Sequence, residues 1–351
     1  MKLDWKRLLR LEQHEVLGLD IGSSTVKVVQ LRKDKGGWAV TAAGIVDIVD
    51  EVGNNEKHKE MNITKAINDC LELTGVQTQF AVCGVCGPEV AVRYFKFPPL
   101  QPEEIPGAVL LEAEQVCPFS VKGGAVDYQL MQNGDNNISG ILVAATGKQI
   151  GRKNRLAKTV SLDNVLMDVD GLALLNCFSE CEKPEAGWAT AILNVGKSFA
   201  NLAIIGKDSL PFVRDIAYAG DSIINEIEEY SRHQANNDKH EKLDIKHHAP
   251  DTELLDKACQ KLITNIAETL RYYAAQKNSS VVNKVFVCGG FALVKGFVEL
   301  LDSQLSATAV SWNPFDKIHC HTESQQHGIQ DTIYKNGPAM AVAAGLAMRS
   351  I

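Results

Sequence analysis

Apolar positions along the chain come in two arrangements: short runs broken by glycine, and longer stretches at helical spacing. Residues 16–21, 25–31 and 38–46 are three apolar-rich runs in succession and predict three strands joined by tight turns. Residues 50–60 are polar and charged, and are expected to form a surface loop. Ile63, Ala66, Ile67, Cys70 and Leu71 share one helical face, which Gly75 ends. A further strand is expected at 79–85, and Gly87-Pro88 breaks the pattern. Beyond the break the spacing predicts a strand at 90–97, a Pro-bounded helix near 103–116, strands near 126–132 and 141–145, and a helix at 148–158. Residues 165–175 read as a strand running into a helix. Residues 188–217 form a second three-strand meander, and Gly220-Asp221-Ser222 opens the helix after it. Residues 231–250 are polar and are expected at the surface. A long amphipathic helix follows at 254–275, then a strand at 285–288, the pair Gly289-Gly290 and a helix at 293–305. Residues 324–336 are polar and receive no element. A small-residue helix at 337–347 closes the pattern.

The first hairpin carries candidate chemistry. An apolar run reaches Asp20, turns at Gly22 and leaves through a second apolar run. Gly22 allows the backbone to bend and to approach a ligand closely. Ser23, Ser24 and Thr25 offer N–H and hydroxyl donors together, as a phosphate requires. Asp20, at the strand end, can hold a hydrated Mg²⁺ beside such phosphates. Lys27, seven residues on, can point its charge back at the turn. By itself this is also an ordinary glycine-turn hairpin. The second meander repeats the design: Asn194 stands where Asp20 stood, Gly196 where Gly22 stood and Ser198 where Ser24 stood, with Lys197 between them. Two such hairpins far apart predict two similar halves facing one nucleotide. Gly289 and Gly290 suit close backbone approach to a ribose or base. The Ala and Gly faces of 337–347 suit close helix packing at a hinge.

Composition narrows the field. The chain has 351 residues, enough for two domains with separate cores. Net charge is −7 and pI about 5.8, which argues against a general nucleic-acid binder. No apolar run approaches the roughly 18 residues of a membrane span. Residues 1–10 are basic, with Trp5, Leu8 and Leu9 on one helical face. They read as a frayed extension or as a short amphipathic helix at an anionic membrane. Nine cysteines with no framework of spacings point to a reducing cytoplasm. Cys83 and Cys86, and likewise Cys177 and Cys181, are expected to be buried small hydrophobes. His233, His240, His247 and His248 fall in a polar stretch that reads as a solvated loop before a metal site.

Taken together, the two phosphate-type hairpins, the Gly289-Gly290 turn and the late small-residue helix resemble the actin-like ATPase superfamily. Within it, the chain resembles the type IV pilus assembly protein PilM family, related to the division protein FtsA. That closer resemblance rests on Val90-Ala-Val-Arg-Tyr-Phe-Lys-Phe-Pro-Pro-Leu100, Glu112-Ala-Glu-Gln-Val-Cys-Pro-Phe119, Val126-Asp-Tyr-Gln129 and Gly345-Leu-Ala-Met-Arg349. It implies an α/β, actin-like fold of two RNase H-like domains with an inserted FtsA/PilM-type subdomain. The implied division is an extension at 1–15, a first half at 16–86, the insertion at 87–160, a return at 161–187, a second half at 188–335, and a helix at 336–351 packing back on the first half. It implies ATP and Mg²⁺ as ligands. Asp20 would hold the metal. Gly22, Ser23, Ser24, Thr25, Lys27, Asn194, Gly196, Lys197, Ser198, Gly220, Asp221, Gly289 and Gly290 would line the nucleotide site. Asp170 would stand where relatives orient the attacking water; a carboxylate capping a helix start is the other reading of it. The chain departs from the superfamily at Asn194, where Asp is usual, and at 231–250, which lacks an Ala-Glu-x-x-Lys type of helix.

The resemblance also implies a role. A cytoplasmic ATP-binding scaffold would dock the N-terminal cytoplasmic peptide of membrane-anchored PilN beside the insertion, join other platform proteins, and so sit at the inner membrane through its partners. Slow or absent hydrolysis is expected from Asn194. A small-molecule kinase on the same fold is the main alternative, since fold does not decide function; the insertion and the lack of a sugar-binding Asp/Asn cluster weigh against it. An FtsA-like division protein is the third, and would be expected to carry an amphipathic membrane helix after the last helix.

Overall fold

The computed structural model describes residues 16–49, 55–131, 137–183, 185, 187–206, 210–235, 251–276, 279–320 and 328–349. Its frame is one strand scheme used twice. Strands β1 (Leu17–Ile21), β2 (Thr25–Asp34) and β3 (Gly37–Asp47) form an antiparallel meander, and β4 (Phe80–Val85) and β8 (Asn164–Val169) add in parallel beside β1. In the second half β9 (Ala189–Val195), β10 (Ala200–Ile205) and β11 (Pro211–Ile216) form the meander, and β12 (Val282–Cys288) and β13 (Thr308–Ser311) add in parallel beside β9. The two orders, β3-β2-β1-β4-β8 and β11-β10-β9-β12-β13, correspond strand for strand; β14 (His319–Cys320) extends the first at β3.

Strand periodicity explains what each face does. Successive side chains of a strand point to opposite faces. Leu17, Leu19 and Ile21 share a core with Ile63, Ile67 and Cys70 of helix α1 (Glu56–Thr74). Gly18 and Asp20 therefore lie on the opposite face, towards the other half. In β9, Ala189, Ala191, Leu193 and Val195 enter the core of the second half, whereas Ile192 joins the core between the halves. That middle core is built from α4 (Asp170–Cys181) and α9 (Ala341–Ala347), with Phe178 edge-on to Phe286 and Trp312.

Three elements differ from the pattern-based reading. Helix α1 begins at Glu56, inside the expected loop. The Asn55 side chain accepts the His58 N–H at 3.1 Å, and the charged first turn simply faces solvent. Its other end is as read: Gly75 adopts φ +65° and its N–H caps the last turn. Helix α3 (Gly147–Thr159), expected within the insertion, buries Leu156 and Ala157 in the core of Leu17 and Leu19. The inserted core is that of strands β5 (Val90–Phe97), β6 (Ala125–Met131) and β7 (Ile138–Ala145) under helix α2 (Ile105–Val116), around Phe95, Val109, Ala113 and Leu142. On packing, then, α3 joins the core of the first half. Likewise α8 (Ile329–Asn336) fills the unassigned stretch; it buries Ile329 and Ile333 against the first half, ahead of the expected return at 336. The remaining helices are α5 (Gly220–Ala235), α6 (Thr252–Ala274) and α7 (Phe297–Gln304). Residues 1–15, 236–250 and 321–327 lie outside the described residues, and with them the basic N-terminus and three of the four histidines.

The halves meet through backbone. A methyl group on Gly18 would overlap the Ala343 carbonyl, and one on Gly345 would overlap the Ala173 carbonyl. Helix propensity alone favours Ala over Gly by about 1 kcal/mol. At position 345 the overlap outweighs it, since overpacking costs about 1–3 kcal/mol and here the obstacle is unyielding backbone. Gly345→Ala should lower stability by about 2 kcal/mol in denaturant melts. Gly107→Ala, in α2 with open space around it, should be neutral or stabilising. Equal responses at the two positions would contradict this packing.

Candidate functional site

Both β-hairpin turns close in the same way. The Gly22 N–H donates to the Thr25 carbonyl at 3.0 Å, and the Gly196 N–H donates to the Phe199 carbonyl at 3.0 Å. One step back along each strand, Asp20 pairs across the ladder with Lys27, and Asn194 pairs with Asn201. The side chains follow the backbone. Lys27 Nζ donates to Asp20 Oδ2 at 3.0 Å, while Asn194 Nδ2 donates to Asn201 Oδ1 at 2.8 Å. The same structural position thus holds an ion pair in the first half and a neutral amide pair in the second. The second pair continues outward: Asn201 Nδ2 donates to Asp215 Oδ1 at 2.7 Å, and the Gly87 N–H donates to Asp215 Oδ2 at 2.5 Å. Burial pushes the Asp215 carboxyl up, and these two donors hold it down. Gly87 sits at φ +96°, at the neck of the insertion, with the Phe199 ring against it.

A cavity of about 460 Å³ opens between the two turns. Of the residues expected at a nucleotide site, Asp20, Gly22, Ser23, Asp170, Lys197, Ser198 and Asp221 border it. Ser24, Thr25, Lys27, Asn194, Gly196, Gly220, Gly289 and Gly290 are not among its lining residues. Lys27 is held on Asp20, and Thr25 is buried. Gly220 and Asp221 spend their N–H groups on the carbonyls of Gly196 and Lys197, at 3.0 and 2.7 Å, so the start of α5 is pinned to the second turn. Gly289, at φ +93°, donates its N–H to the Pro338 carbonyl at 2.8 Å. A methyl group there would overlap the Val195 carbonyl.

Asp170 is the first residue of α4 and is buried. Its Oδ1 has no hydrogen-bond partner and lies over Gly84, where any side chain would strike it. Burial, and then the negative charge of Asp20, raise its carboxyl to about 7, against the opposing pull of Lys153. Helix α3 supplies cavity residues that the motif reading passed over. Lys153 Nζ donates to the Ile21 carbonyl at 2.7 Å, and Gln149 Nε2 donates to the Cys86 carbonyl at 3.0 Å. Cys86 borders the cavity beside Asp170, whereas Cys83 is buried as expected. Among the described residues, no group of three or more His, Cys, Asp and Glu side chains is placed to hold a metal ion by itself.

A second, larger concavity of about 720 Å³ lies between the insertion and the first half. Its floor is the face of β6 and β7 turned away from α2, with Asp127, Gln129, Ile141 and Val143. Its far wall is α4, with Leu172 and Asn176. Arg349 Nη1 donates to Asp168 Oδ2 at 2.8 Å at its rim. Burial raises the Asp168 carboxyl, and Arg349 opposes the shift.

Known proteins share this arrangement. The chain is similar to a solved PilM–PilN type IV pilus biogenesis complex, with 20% identity over 96% of this chain and 99% of that one, at a TM-score of 0.75. It is also similar to a diol dehydratase-reactivating factor in nucleotide-free form (11% identity, 95% and 99% covered, TM-score 0.54). The ethanolamine utilization protein EutJ of Carboxydothermus hydrogenoformans gives 12% identity, 95% and 88% covered, and a TM-score of 0.51. At these identities the likeness establishes the fold, which is the α/β, actin-like one. Among the described residues no helix is long and apolar enough to cross a membrane. The sequence profile of the type IV pilus assembly protein PilM matches residues 18–351, and the chain belongs to that family.

Proposed function

We propose that the protein is an ATP-loaded scaffold of the type IV pilus assembly platform. The cavity between the two hairpin turns would take Mg-ATP, and the groove beside the insertion would take the N-terminal cytoplasmic peptide of membrane-anchored PilN. The observation that carries the nucleotide reading is that one cavity is walled by Gly22 and Ser23 from one hairpin and by Lys197 and Ser198 from its counterpart. The donor set fits a polyphosphate: backbone N–H groups and hydroxyls of the turns, with a lysine on each side. It also fits Mg²⁺, which keeps several waters and takes one or two carboxylates together with phosphate oxygens. Asp20 would be that carboxylate, with Lys27 released towards phosphate. Bound Mg²⁺ would supply charge that offsets the phosphates. Gly289 and Gly290 would face the adenosine from behind the second turn. The likeness to a PilM–PilN complex supports the partner, and the groove's mix of apolar side chains (Ile141, Val143, Leu172) and polar ones (Asp127, Gln129) suits an extended peptide. A protein so bound would work in the cytoplasm, held at the inner membrane by its partners.

Hydrolysis would be slow. Asn194 offers only a neutral carbonyl towards a metal's waters, and its amide is spent on Asn201. Asp170 would orient the attacking water, a reading supported by its unpartnered Oδ1.

A synthetic peptide of the PilN N-terminus should bind the protein, and Gln129→Arg, an exposed change on the groove floor, should weaken it at least about tenfold. Absence of binding, together with ATP-dependent phosphorylation of a small sugar or acid, would sink the scaffold reading and favour a kinase. Steady turnover should stay well below ~1 s⁻¹ and rise in Asn194→Asp; a fast wild type would contradict the account. Asp170 also sets a pH dependence. Its carboxyl titrates at about 7 folded against 3.8 as the ordinary value, so the folded state holds the extra proton between these limits. Stability from this group is full below about pH 4 and is lost as pH rises through 7. The melting temperature of Asp170→Asn, relative to wild type, should climb across that window; a constant difference would refute the assignment.

A further inference from the structure

Lys27 is the cation that the hairpin motif offers to a phosphate, yet its ammonium is already engaged. It lies 3.0 Å from Asp20, has a side chain 13% exposed, and is not among the residues lining the cavity. Lys153 stands in the wall itself. It projects from α3, an element remote in sequence from either hairpin, and its Nζ reaches the carbonyl of Ile21, the residue immediately before the turn at Gly22. An ammonium has three donors. Among the described residues Lys153 spends one, on Ile21.

Holding α3 against the hairpin is not a sufficient use for a charge. One turn earlier on the same helix, Gln149 bonds a carbonyl of a neighbouring element, that of Cys86, with a neutral amide. Partly burying an ammonium costs more than burying an amide unless a negative partner compensates it. Asp20 is held by Lys27, and Asp170, near enough to feel the Lys153 charge, makes no hydrogen bond with it and leaves Oδ1 unpartnered. Across the cavity stand Lys197 and Ser198 of the second turn. Among the described residues, the wall thus presents a cation with two donors to spare beside one turn, facing a cation beside the other.

We propose that Lys153 is a direct ligand of the polyphosphate of a nucleoside di- or triphosphate, clamping it against the first hairpin opposite Lys197. This rests on the nucleotide reading of the cavity and adds to it a residue from α3. Because α3 also holds Cys86, at the neck of the insertion, the ligand would bind directly to the helix that carries that neck.

The test is calorimetric titration of Mg-ATP, Mg-ADP and AMP into wild type, Lys153→Met, Lys153→Gln and Lys153→Arg, with thermal melts of each. A lost hydrogen bond to a charged group corresponds to about tenfold to a hundredfold in affinity. Both neutral variants should lose about that much for ATP and ADP while AMP changes by less than about threefold, and Lys153→Arg should recover part of the loss. Lys153→Gln keeps a neutral link to Ile21, so it reports even if Lys153→Met fails to fold. Unchanged ATP affinity would overturn the assignment. So would an equal loss for ATP and AMP, the mark of a purely structural staple. A wild type that binds none of the three nucleotides would remove the nucleotide reading itself, and this assignment with it.

Discussion

Everything in this molecule depends on two backbones being allowed to touch. Helix α9 crosses β1 at Gly18 and α4 at Gly345, with main-chain carbonyls where side chains would otherwise stand. Only Gly and Ala permit such an approach, and residues 341–347 are buried throughout. That seam puts α4 and α9 between the two sheets and fixes the distance between the halves. The turns at Gly22 and Gly196 can then face one cavity although 174 residues separate them in the chain. The interior of each half is made of ordinary strand–helix packing, which sets no relation between halves. The glycine seam does.

The duplicated frame makes the one asymmetry meaningful. Asp20–Lys27 and Asn194–Asn201 occupy the same ladder position in the two halves, so backbone geometry cannot account for their difference. An ion pair beside the first turn supplies a carboxylate and an ammonium that phosphate and metal can compete for. An amide pair beside the second supplies neither. It is tied instead through Asp215 to Gly87 and hence to the insertion. The first half thus carries the charged pair beside its turn, and the second ties its neutral pair to the added subdomain.

Much of the frame is legible in the sequence, for a physical reason. Strands buried on both faces read as apolar runs, glycine marks their turns, and an αL glycine such as Gly75 ends a helix. The seven-residue spacings Asp20/Lys27 and Asn194/Asn201 are also visible, although only the ladder shows that each is a cross-strand pair. Allegiance is harder to read. The periodicity of 147–159 tells which face is buried but not against what, so α3 was expected in the insertion while Leu156 joins the first core. Helix α8 hides for another reason, because only Ile329 and Ile333 mark it in a polar stretch. Lys153 gives no signal in sequence, being one basic residue among several on α3. The groove is equally silent, since its floor at 125–143 and its wall at 167–176 meet only after folding. At Gly289 the glycine signal also marks backbone room, since the residue closely approaches the Val195 main chain.

The central claim is that the two hairpin turns act together on one nucleotide. Amide hydrogen exchange with and without Mg-ATP tests it most directly, since both turns carry N–H groups at the cavity. Added protection is expected over residues 22–25 and over 196–199 at the same nucleotide concentration, with α3 protected alongside. Protection confined to one half, or absent from both at saturating nucleotide, would contradict it.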